Sequence, residues 1–142
     1  MPQPTTRARP TGCPGYSEML PCKPESAGTA RRLVRVALGA WGLNDLADDG
    51  ELIVSELVSN AVQHARCRYI RVAVTRPERV RVRVRIGVVD KSQRLPVLRE
   101  PREGDENGRG LALVGELAKT WGTDQLPWGK RVWAELHGEE HG

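Results

Sequence analysis

The chain is 142 residues long and carries 22 Lys+Arg against 18 Asp+Glu, a formal +4, with 39% hydrophobic and 28% charged residues. That is one domain, able to bury about two-thirds of the surface its unfolded chain exposes, too apolar to be wholly disordered, and without any stretch near the roughly twenty apolar residues of a membrane span. Phe is absent and only four Trp and two Tyr are present, so the core must be built from Val, Leu, Ile and Ala. Cys13, Cys22 and Cys67 form no CxxC pair, which argues against a zinc cluster or a disulfide framework. No apolar segment follows Arg7 and Arg9, so a secretory signal is disfavoured and a cytoplasmic location is the expectation.

Residues 1 to 24 hold six of the ten prolines and little periodicity. We place a mobile Pro-rich arm at residues 1–19 and a single domain at residues 20–142, with Met19-Leu20-Pro21 apolar enough to pack or pair at a sheet edge. Ser26 offers an N-cap, and Ala30, Leu33, Val34, Val36, Ala37 and Ala40 recur at helical spacing up to Trp41-Gly42, where glycine is a natural stop. A second helix is predicted from Asn44 or Asp45 to about Ala65. Asp48, Asp49 and Glu51 sit in its first turns, and Leu46, Ile53, Leu57, Val58, Ala61, Val62 and Ala65 line its apolar face. The period then changes to two. Ile70, Val72 and Val74 make one strand; Val80, Val82, Val84, Ile86 and Val88 make another, joined to the first by Arg76-Pro77-Glu78-Arg79. Lys91 to Asn107 reads as a long loop, Gly108-Arg109-Gly110 opens a helix running to Ala118, and two strands follow near Thr120–Asp124 and Lys130–Leu136. Adjacent strands on short connections predict an α/β (α+β) two-layer sandwich, a mixed, mostly antiparallel sheet with helices on one face.

The positive charge is uneven. Residues 66 to 85 hold eight Arg and one Glu, a local +7, leaving 14 Lys+Arg against 17 Asp+Glu, or −3, for the rest. Alternation puts the valines of Val80–Ile86 towards the helices and Arg81, Arg83 and Arg85 on the other face. A solvated face is the first reading of this strip, docking of an acidic protein the second, and nucleic acid the third, because neither interleaved aromatics nor a helix-turn-helix pattern accompanies it.

Three segments carry candidate chemistry. In the second helix Glu56, Asn60 and either Gln63 or His64 recur at four and then three or four residues, one polar stripe on an otherwise apolar helix. A solvated face accounts for many such stripes. Asn60, however, is a mediocre helix former in mid-helix, and a carboxamide oxygen can bind Mg²⁺, which takes hard oxygen donors and keeps positions for phosphates and water. A carboxylate one turn earlier can orient or deprotonate a nucleophile. Downstream, Ile86-Gly87-Val88-Val89-Asp90 ends a strand in a carboxylate, and Asn107-Gly108-Arg109-Gly110-Leu111 opens a helix whose free N–H groups can receive an anion.

Taken in order, ELVSNAVQHA, VVD, NGRGLALV and GKRVWAEL resemble the ATPase superfamily of DNA gyrase, histidine kinases and mismatch-repair ATPases, the Bergerat fold. The PESAGTARRLVR entry is similar to the single-domain anti-sigma-factor serine/threonine kinases of the histidine-kinase-like group, and the resemblance covers about residues 20 to 137. It implies that Asn60 ligands Mg²⁺ on the ATP phosphates, that Glu56 is the general base, and that Asp90 accepts from the adenine amino group. It further implies that Gly108, Arg109, Gly110 and Leu111 close over the phosphates, with His64 lining the pocket. The implied partners are an anti-anti-sigma protein and a sigma factor, with a homodimer compatible and nucleic acid disfavoured. In two places the chain departs from the pattern: Asp90 is followed by Lys91-Ser92-Gln93-Arg94-Leu95-Pro96, without the usual glycines, and Lys130-Arg131-Val132-Trp133 stands where many relatives carry Thr beside adenine. One alternative is a module that binds ATP or a partner without turnover. A detached sensor histidine kinase domain ranks behind it, because no phosphoacceptor-helix region precedes the domain and the Lys91–Asn107 loop is short.

Overall fold

The computed structural model describes residues 5–6, 15–64, 68–77, 82–91 and 113–138. Two helices lie on one face of a six-stranded sheet. In chain order the elements are β1 (Thr5–Thr6), β2 (Gly15–Pro21), α1 (Ser26–Ala40), a 3-10 turn at Asn44–Leu46, α2 (Ala47–His64), β3 (Tyr69–Thr75), β4 (Arg83–Asp90), β5 (Thr120–Leu126) and β6 (Gly129–His137). A helical stretch at 113–117 precedes β5. The spatial order is β1-β2-β3-β4-β6-β5. Every pairing among the described residues is antiparallel, in keeping with the mostly antiparallel sheet expected.

Residues 15–19, assigned to the arm on composition, form most of β2, which pairs with β3 from Gly15↔Thr75 to Pro21↔Tyr69. The remainder of the expected arm, apart from Thr5–Thr6, lies outside the described residues, as do the end of the predicted Arg76–Arg79 connection, the start of the second predicted strand (80–81), most of the Lys91–Asn107 loop and the first residues of the helix after it. Helix α1 begins at Ser26, yet Ser26 does not cap it. The residue at the cap is Glu25, which makes no side-chain cap bond. The Ser26 hydroxyl instead donates to the Pro21 carbonyl at 2.6 Å, tying the helix start to the end of β2. Gly42 ends the helix with φ at 72°, as its place in the sequence suggests.

The core lies between the helices and the sheet and is aliphatic throughout. Leu33, Val34, Leu38, Ile53, Val54, Leu57 and Val58 from the helices meet Ile70, Val72, Val74, Val84, Ile86, Val88, Val132, Ala134 and Leu136 from the strands. Alternation puts one residue in two inward, as the period of two requires. The other sheet face carries paired charges beside apolar side chains. Arg83 and Arg85 both bond Glu135, with Nη2–Oε distances of 2.7 and 2.6 Å. Arg131 bonds Asp124 at 2.7 Å, and the Arg85 guanidinium lies 4.4 Å from the Trp133 ring centre. The described part of the arginine strip is therefore largely matched within the sheet.

Candidate functional site

Helix α2 is positioned by both of its borders. On a 3.6-residue projection its buried face, with Ile53, Leu57 and Ala61, separates a border holding Glu51 and Ser55 from one holding Glu56 and Asn60. The first border meets α1. Arg31 donates to the Ser55 hydroxyl at 3.1 Å, and Arg35 bonds Asp48 at 3.2 Å and also Glu51. Since α1 covers β2 and β3 while α2 covers β4 and reaches β6, the border with Glu56 and Asn60 faces the β6–β5 side of the sheet. Both side chains are half-buried; His64, on the last turn, is exposed.

The axial position of these residues follows from the ends of the helix. Leu46, just before α2, reaches the end of the sheet where the Gly138 N–H donates to the Val82 carbonyl. At the other end the Cys22 thiol lies 3.8 Å from the Ala61 carbonyl, beside the paired Pro21 and Tyr69. An 18-residue helix spans about 27 Å, and an eight-residue strand about 26 Å. Helix α2 and strand β4 thus run side by side, and Asn60 and Asp90 fall at the same end of the molecule.

Asp90 is in phase with Val84, Ile86 and Val88, so its side chain is on the helical face, 2% exposed. Its cross-strand partner in β6 is Lys130. Lys130 is in phase with Val132, Ala134 and Leu136, is 1% exposed, and its Nζ has no hydrogen-bond partner among the described residues. The two residues are drawn together by Gly129, where any Cβ would overlap the Asp90 carbonyl oxygen and come within 2.9 Å of Lys91 Cα. On the far side the 113–117 segment stands over β5, with Gly115 near Trp121 and Val114 fully buried. The buried pair Asp90 and Lys130 thus lies on the helical face of the sheet, at the same end as the half-buried Glu56 and Asn60 of α2.

Of the residues singled out in the sequence, the structure puts Glu56, Asn60 and Asp90 at the same end of the molecule, on the helical side of the sheet. Gly108, Arg109, Gly110 and Leu111 lie outside the described residues. Lys130 is the addition. Its signal in the sequence is a charged residue in the apolar phase of a strand, visible once Val132, Ala134 and Leu136 set that phase. A separate groove of about 450 Å³ lies at the same end on the open sheet face, lined by Met19, Tyr69, Val89 and Trp128 with Arg68, Arg71 and Lys91. It is divided from the Asp90 and Lys130 side chains by the sheet itself.

Among the described residues no helix is long and apolar enough to cross a membrane. No curated protein matches the sequence. Among solved structures, the histidine kinase domain of the Erythrobacter litoralis EL346 blue-light activated histidine kinase is similar, at 18% identity and a TM-score of 0.48, over 83% of this chain and 61% of that chain. The chain thus spans under two-thirds of that domain's length. The family described as "Histidine kinase-like ATPase domain" matches residues 20–135, from the end of β2 through most of β6. Over that span, which holds α2, Asp90 and Lys130, the chain belongs to the histidine kinase-like ATPase domain family.

Proposed function

We propose that this chain is a Mg·ATP-binding regulatory protein that transfers phosphate to a serine or threonine of a partner protein, of the anti-sigma-factor kinase type. The observation that supports it most is the juxtaposition of Glu56 and Asn60 on the free border of α2 with the buried Asp90 at the same end of the sheet, inside the span that matches the family. The donor set suits the ligand. Among the described residues no three His, Cys, Asp or Glu side chains are grouped to hold a metal ion alone. A single carboxamide oxygen at Asn60 suits a magnesium ion that takes its remaining ligands from phosphates and water.

Each residue then has a task. Asn60 holds the ion; Asp90 accepts from the base; Gly108, Arg109, Gly110 and Leu111 give backbone and guanidinium donors to the phosphates; His64 lines the outer rim. Bound Mg·ATP supplies the phosphoryl group and a neutralised leaving group, so that catalysis is mostly positioning. Glu56 takes the proton of the acceptor hydroxyl. The partners that the resemblance implies are an anti-anti-sigma protein as acceptor and a sigma factor as the sequestered ligand, in the cytoplasm. A second reading, nucleotide binding without transfer, is favoured by the glycine-free Lys91–Pro96 run, where the backbone has lost the residues that most cheaply adopt positive φ.

Labelled ATP incubated with candidate acceptor proteins separates the two: label on a serine or threonine supports the kinase, and retained nucleotide with no transfer to any acceptor supports the module. Asn60→Ala is expected to weaken ATP at least tenfold in calorimetry with Mg²⁺ and little without it. Glu56→Ala should leave binding intact and slow transfer about 10²- to 10⁴-fold. Unchanged Mg²⁺-dependent affinity in the first variant removes the central assignment.

A further inference from the structure

A buried ammonium without a hydrogen-bond partner is an expensive thing for a fold to keep. Lys130 is 1% exposed, its Nζ has no hydrogen-bond partner among the described residues, and an isosteric apolar side chain there would avoid the desolvation. It stands opposite Asp90 on the same sheet face, where directly paired residues have Cβ atoms about 4.5–5.5 Å apart. The helical face of the sheet therefore holds one acceptor and one donor side by side at this end. The edge of adenine offers the complement: an exocyclic amino group flanked by ring nitrogens that accept. Guanine carries a carbonyl at that place, which would face the Asp90 carboxylate.

We infer that Lys130 reads the base, donating from Nζ to a ring nitrogen adjacent to the adenine amino group while Asp90 accepts from that amino group. The inference rests on the nucleotide-binding reading above and adds a specificity-determining residue to it. Ligand binding supplies the partner that Nζ lacks among the described residues. A charge-assisted bond of this kind in a buried site is expected to contribute about ten- to hundredfold in affinity.

The test is a cycle of Lys130→Met against base analogues, read by calorimetry with ATP, 1-deaza-ATP, 7-deaza-ATP and GTP. Methionine is unbranched like lysine, is shorter only by the terminal charged atom and needs no partner, so the ligand-free variant should melt at or above the wild-type temperature, which separates the effect from misfolding. Lys130→Met is expected to weaken ATP at least tenfold, and the penalty to vanish for the one analogue that lacks the accepting nitrogen; which analogue that is identifies N1 or N7. Wild-type protein should prefer ATP to GTP, and the variant should lose much of that preference. Unchanged ATP affinity, or an equal penalty for ATP and both deaza analogues, overturns the assignment of Lys130 while leaving nucleotide binding in place. Wild-type protein that binds none of the four overturns both.

Discussion

Glu135 is 3% exposed and holds two guanidinium groups at once. Burial pushes its carboxyl up, but the bonds from Arg85 and Arg83 outweigh burial and hold it below the ordinary glutamate value of 4.5. A carboxylate lowered on folding stabilises the native state fully above its unfolded value, and that contribution is lost as the pH falls through the folded one. Asp124, bonded by Arg131, is lowered as well and adds to the same acid sensitivity. Glu135→Gln is expected to destabilise the protein by about 2–3 kcal/mol near pH 7. Urea unfolding should show the gap between variant and wild type narrowing below pH 4; a gap that widens on acidification contradicts the linkage. At this scale the sequence is informative about residue type and weak about partners. The arginines at 83 and 85 are plain in it, whereas their common acceptor is some fifty residues away and becomes a neighbour only when β4 pairs with β6.

Helix α2 and the β5–β6 hairpin are the two elements on which the site depends. The helix was legible because its apolar face repeats at 3.6 residues and leaves Glu56 and Asn60 on one border. Which border is free was not, since that depends on α1 packing against Glu51 and Ser55. The hairpin acts through Gly129. A Cβ there collides with backbone at Asp90, which cannot rotate away as a side chain would. Gly129→Ala should therefore part the start of β6 from the end of β4, at about 1–3 kcal/mol of stability, and draw Lys130 from Asp90. Chemical denaturation and ATP titration of the same variant check this. Wild-type values in both would show that the approach is not as close as the register requires. Ser26 is a smaller lesson in the same vein. Its type and place suit a cap, but its hydroxyl donates to the Pro21 carbonyl and serves the strand-to-helix joint instead.

For the whole molecule the question is where the domain begins. Strand β2 covers the edge of β3 and buries Leu20, so a chain starting at Gly15 is expected to keep a near-wild-type melting temperature. One starting at Cys22 loses Leu20, worth about 2 kcal/mol, and bares the β3 edge, which invites aggregation. Comparing the two by melting and light scattering tests the boundary; equal behaviour would show that β2 is dispensable. The net +4 also belongs to this scale. It arises from a local +7 at residues 66–85, of which Arg83 and Arg85 share Glu135 on the open face of the sheet.

By itself the sequence determined the periods, and through them the helices, the strands, the face each buries and the boxes that carry the family resemblance, because these are set within a few residues of chain. Only the tertiary structure decided that β6 lies between β4 and β5, that residues 15–19 belong to the sheet, and that Lys130 is buried opposite Asp90. Such pairings join residues dozens of positions apart, and their selection rests on packing and hydrogen bonding across the sheet, which no local pattern contains.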